Sequence, residues 1–169
     1  CGISEIAGIP SMITQTSEIA IKTLIYLAII SEKKPIPPHD IAAKIGCSPT
    51  YLGKTMSQLV KAGILRSQRG PQGGTSLARD PKNITLLDIV EACQGLLIGA
   101  YCQAIGDQTG PVCAYHQAMW DVRMATREAL KRWTLADLAA QPVPTGELAG
   151  NKECRMEFLY EEVKPRNSG

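Results

Sequence analysis

The sequence predicts a mainly α-helical fold carrying one small β-hairpin, and three observations predict it. Apolar residues recur at helical spacing on both sides of a sharp break at Gly46. A glycine-rich hairpin follows, with Gly70-Pro71-Gln72-Gly73-Gly74 at its tip. A long helical pattern from Val112 to Trp133 then carries a narrow apolar stripe. Helix, tight turn, second helix and two-stranded ribbon, in that order, are the parts of a winged helix-turn-helix. The chain has 169 residues, 44% apolar and 20% charged, enough for one domain with a core, or one domain plus an appendage. The expected organisation is an extension over 1–13, a winged helix-turn-helix over 14–98 and a loop over 99–113. A long helix and a short terminal one over 114–140 and a tail over 141–169 complete it.

Residues 1–13 show no clear period and are expected to be loosely ordered. The first helix is expected from about Gln15 to Ser31, burying Ile19, Thr23, Leu24, Leu27 and Ala28. Glu18 lies near its start, where the macrodipole favours a carboxylate. Pro35, Pro37 and Pro38 then break the chain, and His39 among them reads as a surface residue.

Ile41, Ala42 and Ile45 share one face of a short helix, and Gly46 comes where a left-handed cap is least costly. Ser48 is placed to accept from the open amides of the next helix, and Pro49 has the φ favoured at a first helical position. Along that helix Leu52, Met56, Leu59 and Val60 are expected inside, leaving Thr50, Tyr51, Lys54, Ser57, Gln58 and Lys61 outside. Charge clusters here: Lys44, Lys54, Lys61, Arg66, Arg69, Arg79 and Lys82 stand against Asp80 alone, a local +6 in a chain of net +2. Such clustering suits a polyanion through counterion release, with the second helix reading base edges in the major groove of double-stranded DNA. Arg69, at the hairpin tip, suits the narrower minor groove. The expected DNA-contacting set is Ser48, Thr50, Tyr51, Lys54, Gln58, Arg69, Gly73 and Gly74.

Beyond the hairpin, Thr85 and Asp88 form a capping pair before Leu86, Leu87, Ile89 and Val90, with Cys93 on the buried side and Gly95 ending the helix. Gly99, Gly106, Gly110 and Pro111 mark a loop. The stripe Tyr115, Met119, Val122, Thr126, Ala129 and Trp133 is too narrow for one small domain to cover and predicts a partner helix, hence a homodimer. Thr134 and Asp137 cap a short last helix over Leu135 to Ala140. After Pro142 the period is lost, and the charged tail is not expected to pack firmly, although Phe158, Leu159 and Tyr160 are available to dock.

Six cysteines in a helical chain without a recognisable signal peptide suggest a reduced, cytoplasmic setting more than a disulfide scaffold. Cys47 reads as a packing residue and Cys154 as an exposed thiol. No apolar run is long enough to cross a bilayer, so no membrane partner is expected. Cys102, Cys113 and His116 combine soft thiolates with an imidazole and suit iron-sulfur or zinc binding, zinc less well because the cysteine spacing is unlike structural zinc sites. No cysteine has the context of an activated nucleophile beyond the nearby His116, so an enzyme is not expected.

The run SPTYLGKTMSQLVKAGILRSQRGPQGGTSLARDPKNITLLDIVEACQG resembles the IscR and NsrR type of bacterial regulator, the Rrf2 family, over roughly Thr14 to Leu138. The shared features are a serine-containing recognition helix, an R-G-P-x-G-G wing and an I-T-L-x-D-I/V-V-E-A helix. The resemblance implies a homodimeric transcription regulator, many of which sense iron, nitric oxide or redox state through an iron-sulfur cluster. Relatives that carry a cluster usually supply three loop cysteines and a histidine after the last. Cys113 and His116 match, Cys102 lies close to the first position, and Asp107, Gln108 and Thr109 stand where the middle cysteine is missing. A T-x-x-x-D/E-x-A pattern, matched by Thr14, Glu18 and Ala20, implies that Glu18 can ligate iron bound mainly by the other subunit. The implied cofactor is a [2Fe-2S] cluster on Cys102 and Cys113, completed by Glu18 or His116. The alternative is a cluster-free regulator of the same fold answering to thiol oxidation, a metabolite or a partner protein. Gly53 departs from the larger polar residue relatives often carry, which leaves operator preference open.

Overall fold

The computed structural model describes residues 13–30, 35–70, 73–95, 113–145 and 154–163. Its centre is helix α1 (Gln15–Ile30), which packs against the next three helices, the sheet and the last helix of the family-like region. It is buried on more than one face: Ile21, Ile25 and Tyr26 are buried along with the expected Ile19, Thr23, Leu24 and Leu27, while Ala28 is half-buried. A helix surrounded on most sides needs no polar face, which is why its apolar residues run almost without interruption.

Helix α2 (Pro38–Ile45) ends at Gly46, whose φ of 76° lets its N–H donate back to the Ala42 carbonyl at 2.9 Å. Helix α3 (Pro49–Lys61) starts with Ser48 Oγ accepting from the Tyr51 N–H at 3.2 Å. Leu52, Met56 and Leu59 enter the core as expected. Val60 does not, being 39% exposed, and Thr55 takes a buried place instead, its hydroxyl donating to the Tyr51 carbonyl. The buried face is centred on Leu52 and Leu59, so Thr55 closes one edge and Val60 falls off the other.

Strands β1 (Leu65–Gln68) and β2 (Gly74–Leu77) form the antiparallel wing, with Leu65 opposite Leu77 and Gln68 opposite Gly74. Ile36 adds a single bridge to Thr75 on the other side of β2. A Cβ on Gly74 would lie 2.7 Å from the Ile36 backbone, so glycine is what lets the segment before α2 lie against the wing.

Helix α4 (Leu86–Gln94) has the full Thr85/Asp88 capping box, and helix α6 (Leu135–Ala140) repeats it with Thr134 and Asp137. The two caps are adjacent. The Leu86 N–H donates to the Trp133 carbonyl and the Leu135 N–H to the Ile84 carbonyl, each at 2.8 Å. Between them runs helix α5 (Ala114–Lys131), which has no buried residue and is tied to α4 by an ion pair between Arg127 and Glu91.

The tail docks through the residues available for it, more firmly than its charge implies. A single 3-10 turn (Glu157–Leu159) leads into the short helix α7 (Tyr160–Val163), and Leu159 is fully buried in the main core. Leu159 anchors the segment with Met156, Phe158 and Tyr160 packed beside it, and Lys44 Nζ lies 2.8 Å from Glu162 Oε1. Among the described residues no helix is long and apolar enough to cross a membrane.

Candidate nucleic-acid interface

The outer face of α3 presents Thr50, Gly53, Lys54, Ser57 and Lys61, all exposed, at the three- and four-residue steps that keep side chains on one side of a helix. No heavy atom lies within 4 Å of a Cβ built on Gly53, so the middle of this stripe is open. Ser48 is exposed at the helix start. Its oxygen accepts from the Tyr51 amide, and its hydroxyl proton stays available to an acceptor outside.

Two residues expected on this face are turned inward. Tyr51 is half-buried and its hydroxyl lies 2.7 Å from Thr16 Oγ1 on the first turn of α1. Gln58 is half-buried, its Nε2 donating to the Cys93 carbonyl at the end of α4 (3.3 Å). Gln58 Oε1 is buried without a hydrogen-bond partner among the described residues. Both lie toward the edge of the apolar stripe, where neighbouring helices reach over the side chain. A 3.6-residue period alone does not locate those neighbours.

In the wing, Arg69 is exposed beside Gly70, whose φ is 116°. Arg66 is held across the hairpin by donation from Nε to Ser76 Oγ at 2.9 Å. Gly73 donates its N–H to the Gly70 carbonyl at 2.8 Å, and a Cβ there would lie 2.3 Å from the Gln68 carbonyl oxygen. Gly74 is buried. The two glycines are therefore requirements of the wing's backbone, with Gly74 beneath the surface. Of the basic cluster, Lys54, Lys61, Arg66, Arg69, Arg79 and Lys82 are exposed, whereas Lys44 is engaged by Glu162 and Glu161.

The candidate ligands are distributed as follows. Cys113 is exposed at the N-cap of α5, and His116, one turn on, is half-buried with Nδ1 buried and unpartnered among the described residues. A thiolate and an imidazole three residues apart share one side of a helical turn, and an imidazole nitrogen without a partner is one that a metal could take. These two fit an iron centre. Cys102 and the rest of the loop lie outside the described residues, as do residues 1–12 and the wing-tip pair Pro71 and Gln72. Glu18 is engaged: Oε1 is 3.1 Å from Lys22 Nζ and Oε2 is 2.5 Å from the Arg155 guanidinium. No group of three or more His, Cys, Asp or Glu able to hold a metal is gathered among the described residues.

Of the other thiols, Cys93 is buried and pushed up to about 11 by desolvation, and Cys47 is half-buried, its thiol raised for the same reason. Cys154, expected to be exposed, is half-buried. Sequence reasoning missed Thr16, which holds Tyr51, and Arg155, which holds Glu18. Neither carries a local signal, because each partnership joins distant elements.

A helix with an open polar stripe beside a basic wing defines a DNA-binding protein of the winged helix-turn-helix class. The family model Rrf2, described as iron-dependent transcriptional regulator, matches residues 13–141, and the chain belongs to that family. It is a DNA-binding transcriptional regulator and not an enzyme. The chain is 32% identical over 127 residues to the HTH-type transcriptional regulator IscR of Vibrio vulnificus, covering 75% of this chain and 76% of that protein. Among solved structures it is similar to CymR, the global cysteine regulator of B. subtilis, with a TM-score of 0.64 and 28% identity over 76% of this chain and 95% of that one. IscR of T. potens gives a TM-score of 0.62 and 25% identity, covering 79% and 93%.

Proposed function

We propose that the protein is a homodimeric cytoplasmic regulator that binds a double-stranded DNA operator through the outer face of α3 and the wing, and senses iron, redox state or nitric oxide through a [2Fe-2S] cluster. Ser48, Thr50 and Lys54 at the start of α3 and Arg69 in the wing are the contacts; Tyr51 and Gln58 support the helix from behind. The observation that carries the reading is the outer stripe of α3, polar and exposed beside an exposed Arg69. Dimerisation is supported by α5, an 18-residue helix none of whose residues is buried within its own chain.

Cys102, Cys113, His116 and Glu18 are the four residues available to the cluster. Cys113 and His116 support it by placement; Glu18 joins only by exchanging its ion pairs with Lys22 and Arg155. When bound, the cluster supplies an iron centre sensitive to oxidation and to nitric oxide. On a palindromic operator, binding depends on the separation of the two recognition helices, which is the quantity a sensor between subunits could alter.

The second reading is a cluster-free regulator of the same fold that answers to thiol oxidation, a metabolite or a partner protein. It is favoured by the engaged state of Glu18 and by the missing middle cysteine. An anaerobic absorption spectrum with iron and sulfide analysis, on the wild type and on Cys102→Ser, separates the two. Visible bands and bound iron that vanish in the variant are expected. A colourless, iron-free protein after reconstitution would replace the cluster with the second reading.

A further inference from the structure

Behind the recognition helix lies a closed set of polar contacts that joins three helices. Gln58, in the third turn of α3, donates to the carbonyl of Cys93 in the last turn of α4 at 3.3 Å. The next residue of α4, Gln94, uses Oε1 to accept from the Thr14 N–H at 3.0 Å and from Ser17 Oγ at 2.9 Å, both at the start of α1. From that same first turn Thr16 returns to α3 through the hydroxyl of Tyr51 at 2.7 Å. Each glutamine therefore satisfies a main-chain group at the end of a different helix, where the helix itself leaves carbonyls and amides open. The two returns to α3 are seven residues apart, one on its first turn and one on its third, so together they fix its tilt as well as its rotation.

Gln58 is an expensive way to fill its place. Its Oε1 is buried with no partner among the described residues, and burying an acceptor unsatisfied is costlier than filling the same space with an apolar group. Its bond to the Cys93 carbonyl therefore comes with an open acceptor beside it. We propose that Gln58 and Gln94 are positioning residues that register the C-terminal turn of α4 and the first turn of α1 against the recognition helix. Operator discrimination is thereby set from behind that helix as well as by groups on its outer face. The inference rests on the family's DNA-binding activity and not on any cofactor.

The test uses Gln58→Met, Gln94→Leu and the double variant in the full chain, with two readouts. The first is amide hydrogen exchange without DNA. Exchange in the last turn of α4 is expected to quicken in Gln58→Met, while the thermal midpoint stays within a few degrees of wild type. The second is affinity for a duplex selected from a randomised pool by the wild-type protein, measured against a random duplex. The ratio of the two affinities is expected to fall about fivefold, the size of one net hydrogen bond. The double variant is expected to lose no more than the weaker-binding single variant, because both act on one registered unit. An unchanged ratio in Gln58→Met overturns the proposal. So do additive losses with unaltered exchange in α4, which would make Gln58 a direct base contact.

Discussion

Arg155 reaches Glu18 across 137 residues of sequence, its guanidinium 2.5 Å from the carboxylate. The segment that carries it lies beyond the family-matched region, which ends at residue 141. On α1, Glu18 is also paired with Lys22 one turn on, Nζ to Oε1 3.1 Å. Further along the segment Glu162 meets Lys44 and, with burial as the larger cause, helps to raise the Tyr26 hydroxyl's pKa. The Arg155 contact thus places a cation on one of the two side chains proposed to complete a cluster.

The strap's energy comes from its apolar anchor. Arg155 is 73% exposed, and an ion pair so open to solvent contributes under about 1 kcal/mol. Leu159 is fully buried, and truncating a leucine in such a place costs about 2–5 kcal/mol. Urea denaturation is expected to show a large loss for Leu159→Ala and almost none for Arg155→Ala. Equal midpoints for Leu159→Ala and wild type would mean that the segment does not contribute to the core.

Cys93 offers a check on the α4 packing. With its thiol raised to about 11 by burial, it stays protonated at pH 8 and is expected to resist iodoacetamide there, while exposed Cys113 is alkylated. The sign for stability follows. A thiol whose folded value is raised from 9.0 to about 11 favours the folded state below pH 9, and that contribution is lost as pH rises from 9 through 11. Mass spectrometry of the labelled native protein should find Cys93 unmodified until denaturant is added; early modification would show that α4 opens.

Local chemistry made much of the fold legible. The Gly46 break, the Ser48 cap and the Thr85/Asp88 and Thr134/Asp137 boxes each depend on residues within four positions of one another, and each forms as the sequence implies. What required the structure was contact between distant elements. Tyr51 and Gln58 sit on the polar side of a helical wheel, yet α1 and α4 reach over them. The charged tail carries Leu159 into the core, with Met156, Phe158 and Tyr160 packed against it, which outweighs its composition. Glu18 shows the same limit: its helix-start position is legible, whereas its pairing with Arg155 depends on the tail.

The wing gives a direct test of the DNA interface. Arg69 is exposed, and the hairpin beside it is held by the pairing of β1 with β2 and not by the arginine side chain, so its removal should leave the hairpin intact. Arg69→Ala is expected to weaken specific binding by about 1–3 kcal/mol, the range for a base-reading arginine. Footprinting and titration on a selected duplex check it. An unaltered footprint and affinity would remove Arg69 from the interface.

The proposed dimer interface is tested on α5, where the observed faces differ from the expected stripe. His116, Met119, Arg123, Arg127 and Leu130 are half-buried and form the side nearest the rest of the chain. The stripe expected to meet a partner is thus divided, with Met119, Thr126 and Ala129 half-buried and Tyr115, Val122 and Trp133 exposed. Trp120 and Met124 are exposed as well, and Arg123 stacks 5.6 Å from the Trp120 ring centroid. So many large apolar side chains in the open are what a second copy's helix would cover. Val122, 47% exposed, can take a carboxylate without disturbing its own chain, so Val122→Asp is expected to keep its helical circular dichroism and thermal midpoint. In light scattering it should run at half the wild-type mass, and its affinity for a palindromic operator should fall with the loss of the second half-site. A dimeric Val122→Asp with unchanged operator affinity would place the subunit contact elsewhere.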